Sequence, residues 1–334
     1  MEVRRPLIVE VKRGSLEDGP GIRTVVFFKG CPLRCVFCQN PEAQGPGPEI
    51  AFVAQRCIRC GSCSAQCQQN AIDLLSSSRI DRRRCDLCGR CAAECPSGAL
   101  RLIGKYWPVE TLAELLLRDI EFYRPSDGGV TLSGGECTLF PDYVHELLTR
   151  LKAERVHVTL ETCGSFDYQV FSEKVLPNVD LVLFDFKLID MQASLRYLGR
   201  SNELILSNLK KLLAESSVQV RPRIPLIPGI TDTHDNLAGI VDQLCHLGAR
   251  EVSLLAYNPL GLSMYTPLGR PTPDLPSGFM KSEREREIVE MFREAIRCRA
   301  AKLPATHAVG DRDGARVELA HPATAQGQLH GGRL

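Results

Sequence analysis

The sequence predicts an α/β protein: a partial barrel of about six strand–helix units, interrupted by a separate cysteine-rich segment. After residue 104 the chain alternates between short apolar strands and amphipathic helices. Strands that are apolar on both faces and joined by helical crossovers form parallel sheets. Eleven of the 15 cysteines, in contrast, lie between Cys31 and Cys95. Periodicity alone does not separate a barrel from a doubly wound sheet, which remains the alternative.

The predicted elements follow in order along the chain. A buried strand over Ile22–Phe28 leads directly into the first cysteine motif. Later strands are predicted at Gly129–Leu132, Val156–Leu160, Val179–Phe184, Val218–Ile224 and Glu251–Ala256. Helices are predicted at Val109–Tyr123, Asp142–Ala153, Tyr168–Leu176, Asn202–Glu215, Thr233–Leu247 and Ser282–Arg299.

Changes in composition divide the chain into four segments. Residues 1–47 carry the first strand and the first cysteine motif, and residues 105–300 carry the rest of the barrel. Residues 48–104 are rich in cysteine and poor in strands, and glycine at both ends marks them as an insert. Residues 301–334 lose all periodicity and are rich in Ala, Gly, His and Arg, so we expect a mobile tail.

Charge and composition exclude several classes of protein. The 41 basic and 40 acidic residues give a net charge of +1, so nucleic acid and anionic membranes are not expected partners. No apolar run approaches the ~20 residues of a membrane span, and the N-terminus lacks the apolar core of a secretory signal. We therefore expect a cytoplasmic protein whose cysteines bind metal, in an oxygen-poor setting.

The first cysteine motif has the spacing Cys31-x3-Cys35-x2-Cys38. Three thiolates can hold three irons of a [4Fe–4S] cube and leave the fourth iron without a protein ligand. An open metal position is characteristic of a catalytic site rather than a structural one. The alternatives are a zinc knuckle, which needs a fourth Cys or His nearby, and redox-sensing thiols.

The insert carries two cysteine quartets of equal spacing, Cys-x2-Cys-x2-Cys-x3-Cys, the second followed by proline. This is the two-cluster bacterial ferredoxin pattern, in which each fourth cysteine ligates the other cluster. One predicted cluster is held by Cys57, Cys60, Cys63 and Cys95. The second predicted cluster is held by Cys85, Cys88, Cys91 and Cys67. Two zinc sites of four cysteines each are the alternative.

Polar motifs follow the predicted strands, at the end where α/β barrels place their chemistry. They are Ser133–Glu136 (SGGE), Glu161–Gly164 (ETCG), Asp185–Lys187 (DFK), Arg223 and Asn258. Glycines allow a ligand to approach the backbone, and a carboxylate can accept from an ammonium group. Three of these motifs also have a structural alternative. SGGE can be a simple turn, Lys187 can pair with Asp185, and Arg223 can be a surface arginine. We also keep open a monovalent cation site at Glu161, Thr162 and Asp185.

The first motif resembles that of the radical S-adenosylmethionine (SAM) superfamily. The stretch Asp18–Arg23 (DGPGIR) resembles the signature of the glycyl radical enzyme activases, the family of the pyruvate formate-lyase activating enzyme, and the resemblance spans about residues 7–269. It implies that SAM chelates the open iron and that an electron from the cluster releases a 5′-deoxyadenosyl radical. That radical would take a hydrogen from a glycine Cα in a partner glycyl radical enzyme. A radical SAM enzyme acting on a small molecule and an electron-transfer protein with a degenerate SAM motif are the alternatives.

The resemblance also implies roles for individual residues. The catalytic set is Cys31, Cys35, Cys38, Lys187 and Arg223. The SAM contacts are Phe37, Cys38, Gln39, Gly134, Gly135, Glu136, Asp185, Phe186, Lys187 and Asn258. The chain departs from the family pattern at Cys137 (usually Pro), Glu161 (usually Asp) and Asn258 (usually His). The longer relatives share the insert, for which we expect a relay of electrons from a flavodoxin or ferredoxin, with a structural or docking role as the alternative.

Overall fold

The computed structural model describes residues 5–249, 251–300 and 316–320. Its strands are β1 (Leu7–Ser15), β2 (Arg23–Lys29), β3 (Glu49–Phe52), β4 (Leu100–Ile103), β5 (Lys105–Tyr106), β6 (Gly129–Gly134), β7 (His157–Thr162), β8 (Leu181–Asp185), β9 (Gln219–Pro225), β10 (Glu251–Leu255) and β11 (Arg316–Ala320). Its α-helices are α1 (Ser62–Gln66), α2 (Arg90–Ala93), α3 (Val109–Leu117), α4 (Ile120–Ser126), α5 (Pro141–Ala153), α6 (Tyr168–Val170), α7 (Met191–Leu198), α8 (Glu203–Glu215), α9 (His234–His246) and α10 (Ser282–Ala300).

The main sheet is parallel and follows the order of the chain. Strands β6, β7, β8, β9 and β10 add one after another to the same side of β2, and β11 pairs in parallel with β10. On the other side of β2, β1 pairs antiparallel with β2 and β5 pairs antiparallel with β1. Every residue of β2 is buried, as expected for a strand covered on both faces.

The sheet curls into a partial barrel, which confirms the predicted fold class. Among the parallel strands β2 and β6 to β11 the order never reverses, whereas a doubly wound sheet requires a reversal. The loop after β2 and the loop after β10 also meet, because Gly261 packs directly against Gln39. The carboxyl ends of the parallel strands therefore face one shared space rather than spreading along an open edge.

Helices cover the outer face of this sheet through regular apolar stripes. In α5, Val144, Leu147, Leu148 and Leu151 are completely buried at spacings of three and four residues. The helix begins at Pro141, whose missing N–H costs nothing in a first turn. None of the helices within the described residues is both long and apolar enough to cross a bilayer.

Two helix predictions need correction. The helix predicted over Val109–Tyr123 is broken into α3 and α4, because the side chain of Asp119 turns inward. Asp119 accepts hydrogen bonds from Arg13 on β1 and from Thr24 on β2. The helix predicted over Tyr168–Leu176 is a succession of short α, π and 3₁₀ turns that ends around Pro177.

The sequence analysis missed β1 and the helix α7. The signals for α7 are present in the sequence: Asp190 caps its start by accepting from the Ala193 N–H at 2.7 Å, and Gly199 ends it at φ +74°. The last two carbonyls of this helix accept from the amides of Arg34 and Val36, at 2.8 and 3.0 Å. Helix α7 therefore fixes the loop that carries the first cysteine motif.

The insert has its own small core around a two-stranded sheet. Strand β3 pairs antiparallel with β4, which brings the two ends of the insert together. The short helices α1 and α2 lie in matching positions of the two cysteine quartets. Arg59 and Leu87, just before the second cysteine of each quartet, have φ values of +57° and +60°. The two halves thus repeat one backbone turn, as expected from their equal spacing.

The expectation of a mobile tail over 301–334 does not hold for Arg316–Ala320. These residues form β11, paired in register with Glu251–Leu255 of β10. The sequence RVELA alternates apolar and polar residues, but it is too short to be recognised without its partner strand. The rest of the predicted tail lies outside the described residues.

Candidate active site

One pocket lies where the carboxyl ends of the parallel strands meet. It receives residues from the loop after β2 and from the ends of β6, β7, β8, β9 and β10. The residues predicted for the site that line it are Cys31, Cys35, Cys38, Phe37, Gln39, Gly134, Gly135, Asp185, Lys187, Arg223 and Asn258. Motifs separated by more than two hundred residues are therefore brought together, as the strand-end argument predicts.

The three thiols of the first motif face this pocket in an unfavourable environment for unpaired thiolates. Burial raises the pKa of Cys35 to about 12 and raises that of Cys38 well above its usual value. Contact with the thiol of Cys163 lowers the pKa of Cys31 and raises that of Cys163. Buried thiols that must become thiolates need a compensating positive centre, and metal coordination supplies one.

Four charged side chains form a buried network beside the thiols. The Arg223 guanidinium contacts Glu161 Oε1 through Nη1 at 2.5 Å and Asp185 Oδ1 through Nε at 2.8 Å. The Lys187 ammonium contacts Asp185 Oδ2 at 3.1 Å. Two cations and two carboxylates thus balance each other, which is the condition for keeping such charges buried.

The network favours the ionised states of Asp185 and Lys187, whereas burial raises the pKa of the Glu161 carboxyl. Burial favours the neutral form of Asp185, but Arg223 and Lys187 outweigh it and lower the pKa of that carboxyl. For Lys187, burial opposes the charge, yet Asp185, Cys35 and Cys163 together raise the pKa of the ammonium above its usual value. Lys187 therefore presents a fixed positive charge to the pocket, next to the cysteines.

Known proteins are similar in sequence to this chain over most of its length. A family model described as "4Fe-4S single cluster domain" matches residues 17–206. The benzylsuccinate synthase activating enzyme of Thauera aromatica is 41% identical over 273 residues, covering 79% of this chain and 82% of that protein. The trans-4-hydroxy-L-proline dehydratase activating enzyme of Clostridioides difficile is 40% identical over 265 residues, covering 78% and 87%.

The chain belongs to the glycyl radical enzyme activating enzymes. This confirms the family that the DGPGIR and cysteine motifs predict, and with it the radical SAM class of enzyme. Among solved structures, a domain of a pyruvate-formate lyase-activating enzyme from Bacteroides vulgatus aligns with a TM-score of 0.42 at 24% identity, over 50% of this chain and 94% of that domain.

The pocket of this activating enzyme fits an iron–sulfur cluster with SAM beside it. The side-chain oxygens of Gln39 and Asn40 are buried in the protein with no hydrogen-bond partner among its atoms. Orphaned acceptors of this kind await a donor, such as the amino groups of SAM. Among the described residues, no three Cys, His, Asp or Glu side chains converge as a single metal ion requires. A four-iron cube takes each thiolate at a different corner and needs no such convergence.

Two residues predicted as SAM contacts do not line the pocket. Glu136 is completely buried behind the pocket wall, and its carboxylate accepts from Thr138, from the Thr162 hydroxyl at 2.9 Å and from the Cys163 N–H at 2.7 Å. It therefore anchors the loop after β7 instead of facing the pocket. Phe186 is also completely buried, because side chains alternate along an extended chain and Asp185 and Lys187 take the pocket side.

The sequence analysis kept open a monovalent cation at Glu161, Thr162 and Asp185. In the structure, the side chains of these three residues are bonded to other protein groups. Glu161 Oε1 and Asp185 Oδ1 are both occupied by the Arg223 guanidinium, and Glu161 Oε2 accepts from the Ser133 hydroxyl at 2.5 Å. Thr162 donates its hydroxyl to Glu136. The positive charge that lies between the Glu161 and Asp185 carboxylates is thus the Arg223 guanidinium.

The insert brings its cysteines together in two groups. Cys57, Cys60, Cys63 and Cys95 line one small cavity. In the other group, Cys91 has Cys85, Cys67 and Cys88 as its thiol neighbours. Backbone N–H groups point at sulfur in both groups: Leu100 N lies 3.5 Å from Cys95 Sγ and Ala71 N lies 3.2 Å from Cys67 Sγ. Such contacts stabilise cluster-bound thiolates, so these residues fit the cofactor that their spacing predicts.

Three residues of the site were given no individual role by the sequence analysis. Cys163 lies against Cys31, and only the fold brings the loops after β2 and β7 together. Asp18 of the DGPGIR motif lines the pocket. Tyr265 is buried, and its hydroxyl contacts the Val36 and Cys38 carbonyls at 3.4 Å. A cysteine directly after a strand-end polar pair is the one signal that could have drawn attention to Cys163.

Glu42, just after the cysteine loop, gives the protein a testable pH dependence. It is 4% exposed, and burial raises its pKa from 4.5 to about 7. The folded protein therefore keeps this proton up to about pH 7, whereas the unfolded chain loses it near pH 4.5. Stability falls between these pH values, by on the order of 3 kcal/mol, and stays low above pH 7.

We expect the substitution Glu42→Gln to remove this dependence. The variant should be more stable than the wild type by about 2 kcal/mol at pH 8, and the difference should shrink towards pH 5. Melting temperatures of the two proteins across this pH range measure the effect. Parallel curves for wild type and variant would show that Glu42 does not titrate in this range.

Proposed function

We propose that this activating enzyme installs a glycyl radical on a partner enzyme from a [4Fe–4S] cluster held by Cys31, Cys35 and Cys38. The observation that carries the proposal is the convergence of these thiols and the strand-end polar residues on one pocket. When bound, the cluster supplies the electron that cleaves SAM, and the overall products are methionine, 5′-deoxyadenosine and the glycyl radical. The partner is a glycyl radical enzyme, as the family implies; the names of the similar proteins say that each of them activates another enzyme.

The protein's own residues orient the reactants and exclude water. The fixed positive charge of Lys187 suits the carboxylate of SAM, and the orphaned oxygens of Gln39 and Asn40 suit its amino groups. Leu33, Phe37 and Tyr257 add apolar walls that are nearly inaccessible to solvent. A dry pocket keeps a reactive radical away from water and directs it to the bound glycine.

We propose that two further [4Fe–4S] clusters in the insert relay electrons from a flavodoxin or ferredoxin. Cys60 and Cys88 are the exposed cysteines of the two quartets, so a donor protein can reach both groups. The insert also touches the segment that contacts the first motif: Phe52 N donates to the Pro267 carbonyl at 2.9 Å, two residues after Tyr265. A purely structural or docking role predicts the same contacts, so an experiment must separate the two roles.

Replacing a cysteine ligand of the insert distinguishes an electron-relay role of the insert from a structural or docking role. We expect Cys60→Ala and Cys88→Ala to keep SAM cleavage within about twofold of wild type with dithionite, a small strong reductant that reaches the first cluster directly. With reduced flavodoxin as donor, the rate should fall at least about tenfold, because the relay is interrupted. Equal rates with flavodoxin in variant and wild type would contradict the relay and favour the structural role.

The proposed function is tested with a candidate glycyl radical enzyme as the partner. Anaerobic incubation of the reduced protein with SAM and that enzyme should give the doublet signal of a glycyl radical in electron paramagnetic resonance (EPR). Replacing the radical-bearing glycine of the partner by alanine should abolish the doublet. SAM turnover without any doublet would contradict the proposal and favour chemistry on a small molecule.

A further inference from the structure

A carboxylate of the insert is held by two cations from the barrel. Glu49, the first residue of β3, accepts from the Lys29 ammonium at 2.6 Å through Oε2 and from the Arg270 guanidinium at 2.5 Å through Oε1. Lys29 is the last residue of β2 and is completely inaccessible to solvent. Arg270 lies in the segment that follows β10 and its short 3₁₀ helix. Three separate parts of the chain therefore meet at one charged joint.

The same two cations also hold the loop that follows the first cysteine motif. Lys29 Nζ donates to the Glu42 carbonyl at 2.6 Å, and Arg270 Nη1 donates to the Pro41 carbonyl at 2.5 Å. Each cation thus makes one bond to Glu49 and one bond to the loop. The loop and the first residue of β3 in the insert are consequently bonded to the same pair of side chains.

This loop is bonded directly to the start of the cysteine motif. The Gly30 amide donates to the Ala43 carbonyl at 2.7 Å, and the Cys31 amide donates to the Gln44 carbonyl at 3.0 Å. A displacement of residues 41–44 is therefore transmitted to the backbone of Cys31. Charge-assisted bonds from fixed donors define such positions more sharply than apolar packing does.

The arrangement depends on the charge of Glu49. A buried ammonium needs a counter-charge, and Glu49 is the carboxylate that contacts Lys29. Its second partner, Arg270, is partly exposed and bridges both sides of the joint with one planar group. Without the carboxylate, the two cations repel each other and no longer hold the start of β3.

We propose that Glu49 is a positioning residue that locks the insert onto the loop of the first cysteine motif. It fixes the path between the clusters of the insert and the first cluster, without ligating any of them. The inference rests on the proposed clusters of the insert. It predicts that the removal of one carboxylate, eleven residues after the last cysteine of the first motif, loosens that motif and slows electron delivery.

The test compares Glu49→Gln with wild type and with Asp81→Asn, all as reconstituted holoenzymes. Asp81 is a matched control, because it also pairs with two arginines, Arg83 and Arg84, but within the insert alone. Hydrogen–deuterium exchange is followed in the peptide that holds Gly30 and Cys31. We expect exchange there to speed up about tenfold or more in Glu49→Gln and to stay unchanged in Asp81→Asn. Iron content should be equal in all three proteins.

Electron delivery gives the second readout. With reduced flavodoxin, Glu49→Gln should cleave SAM at least about fivefold more slowly than Asp81→Asn, whereas the two should be equal with dithionite. If Glu49→Gln does not fold, Arg270→Lys replaces it: lysine keeps the charge but lacks the two separate guanidinium nitrogens that reach Pro41 and Glu49, so a smaller rise in exchange is expected.

Unchanged exchange in Glu49→Gln, or an equal rise in Asp81→Asn, would overturn the inference. Either result leaves the proposed function intact, because the wild type still assembles its clusters and cleaves SAM. A wild-type protein that shows no iron–sulfur signal in EPR would instead contradict the proposed function itself. The two failures are therefore distinguishable in one set of samples.

Discussion

Replacing Cys35 by alanine is expected to abolish SAM cleavage and to lower the iron content by about four atoms per chain. Cys35 lines the pocket, and burial raises its thiol pKa to about 12, which disfavours a reactive free thiolate at this place. With only two thiolates left, the first motif cannot hold a cube. Formation of 5′-deoxyadenosine with dithionite should fall at least about 1000-fold.

The matched control is Cys245→Ala. Cys245 lies on α9, outside both the pocket and the insert, and should leave iron and SAM cleavage unchanged. Iron analysis and quantification of 5′-deoxyadenosine by chromatography measure both effects in the same samples. A Cys35→Ala protein that keeps its full iron and its cleavage rate would refute the assignment of the first motif. Zinc in place of iron in the wild type would refute it too.

Replacing Arg223 by alanine is expected to have the largest effect on stability. The side chain is 10% exposed and contacts both Glu161 and Asp185, so its removal leaves a buried carboxylate without a counter-charge. Removing one partner from such a network costs about 3–5 kcal/mol. The free energy of unfolding, or the melting temperature of the holoenzyme, should fall accordingly. SAM cleavage should fall as well, because the charged wall of the pocket is disrupted.

Arg221 on the same strand is the control for this prediction. Its side chain is 25% exposed and pairs with Glu251 and Glu318 at the sheet edge, so Arg221→Ala should cost about 1 kcal/mol or less. Adding Glu161→Gln to Arg223→Ala should recover part of the lost stability by removing the unpaired charge. If Arg223→Ala were no more harmful than Arg221→Ala, the buried network would not be a source of stability.

The parts of the site that depend on local spacing could be predicted from the sequence. Cys31, Cys35 and Cys38 lie within eight residues, and the strand before them is apolar on both faces. Asp185 and Arg223 end neighbouring parallel strands, so the rule that chemistry gathers at the carboxyl ends places them together. These predictions need only the period of a strand and the direction of a parallel sheet.

The parts that depend on side-chain direction or on distant partners could not be predicted. The orientations of Glu136 and Phe186 are decided by packing behind the pocket, which a motif does not encode. Asp119 breaks a helix in favour of partners on β1 and β2, 106 and 95 residues away. The joint at Glu49 unites residues separated by 20 and 221 positions, and nothing in their local sequence marks them as partners.

The account is tested most directly by following one deuterium atom. A partner glycyl radical enzyme is prepared with its glycines deuterated at Cα and is incubated anaerobically with this protein, SAM and a reductant. Hydrogen abstraction from that glycine must place deuterium in 5′-deoxyadenosine, which mass spectrometry detects as a product heavier by about one mass unit. Wholly unlabelled 5′-deoxyadenosine, formed while SAM is consumed, would show that the radical goes elsewhere and that this chain does not activate that partner's glycine.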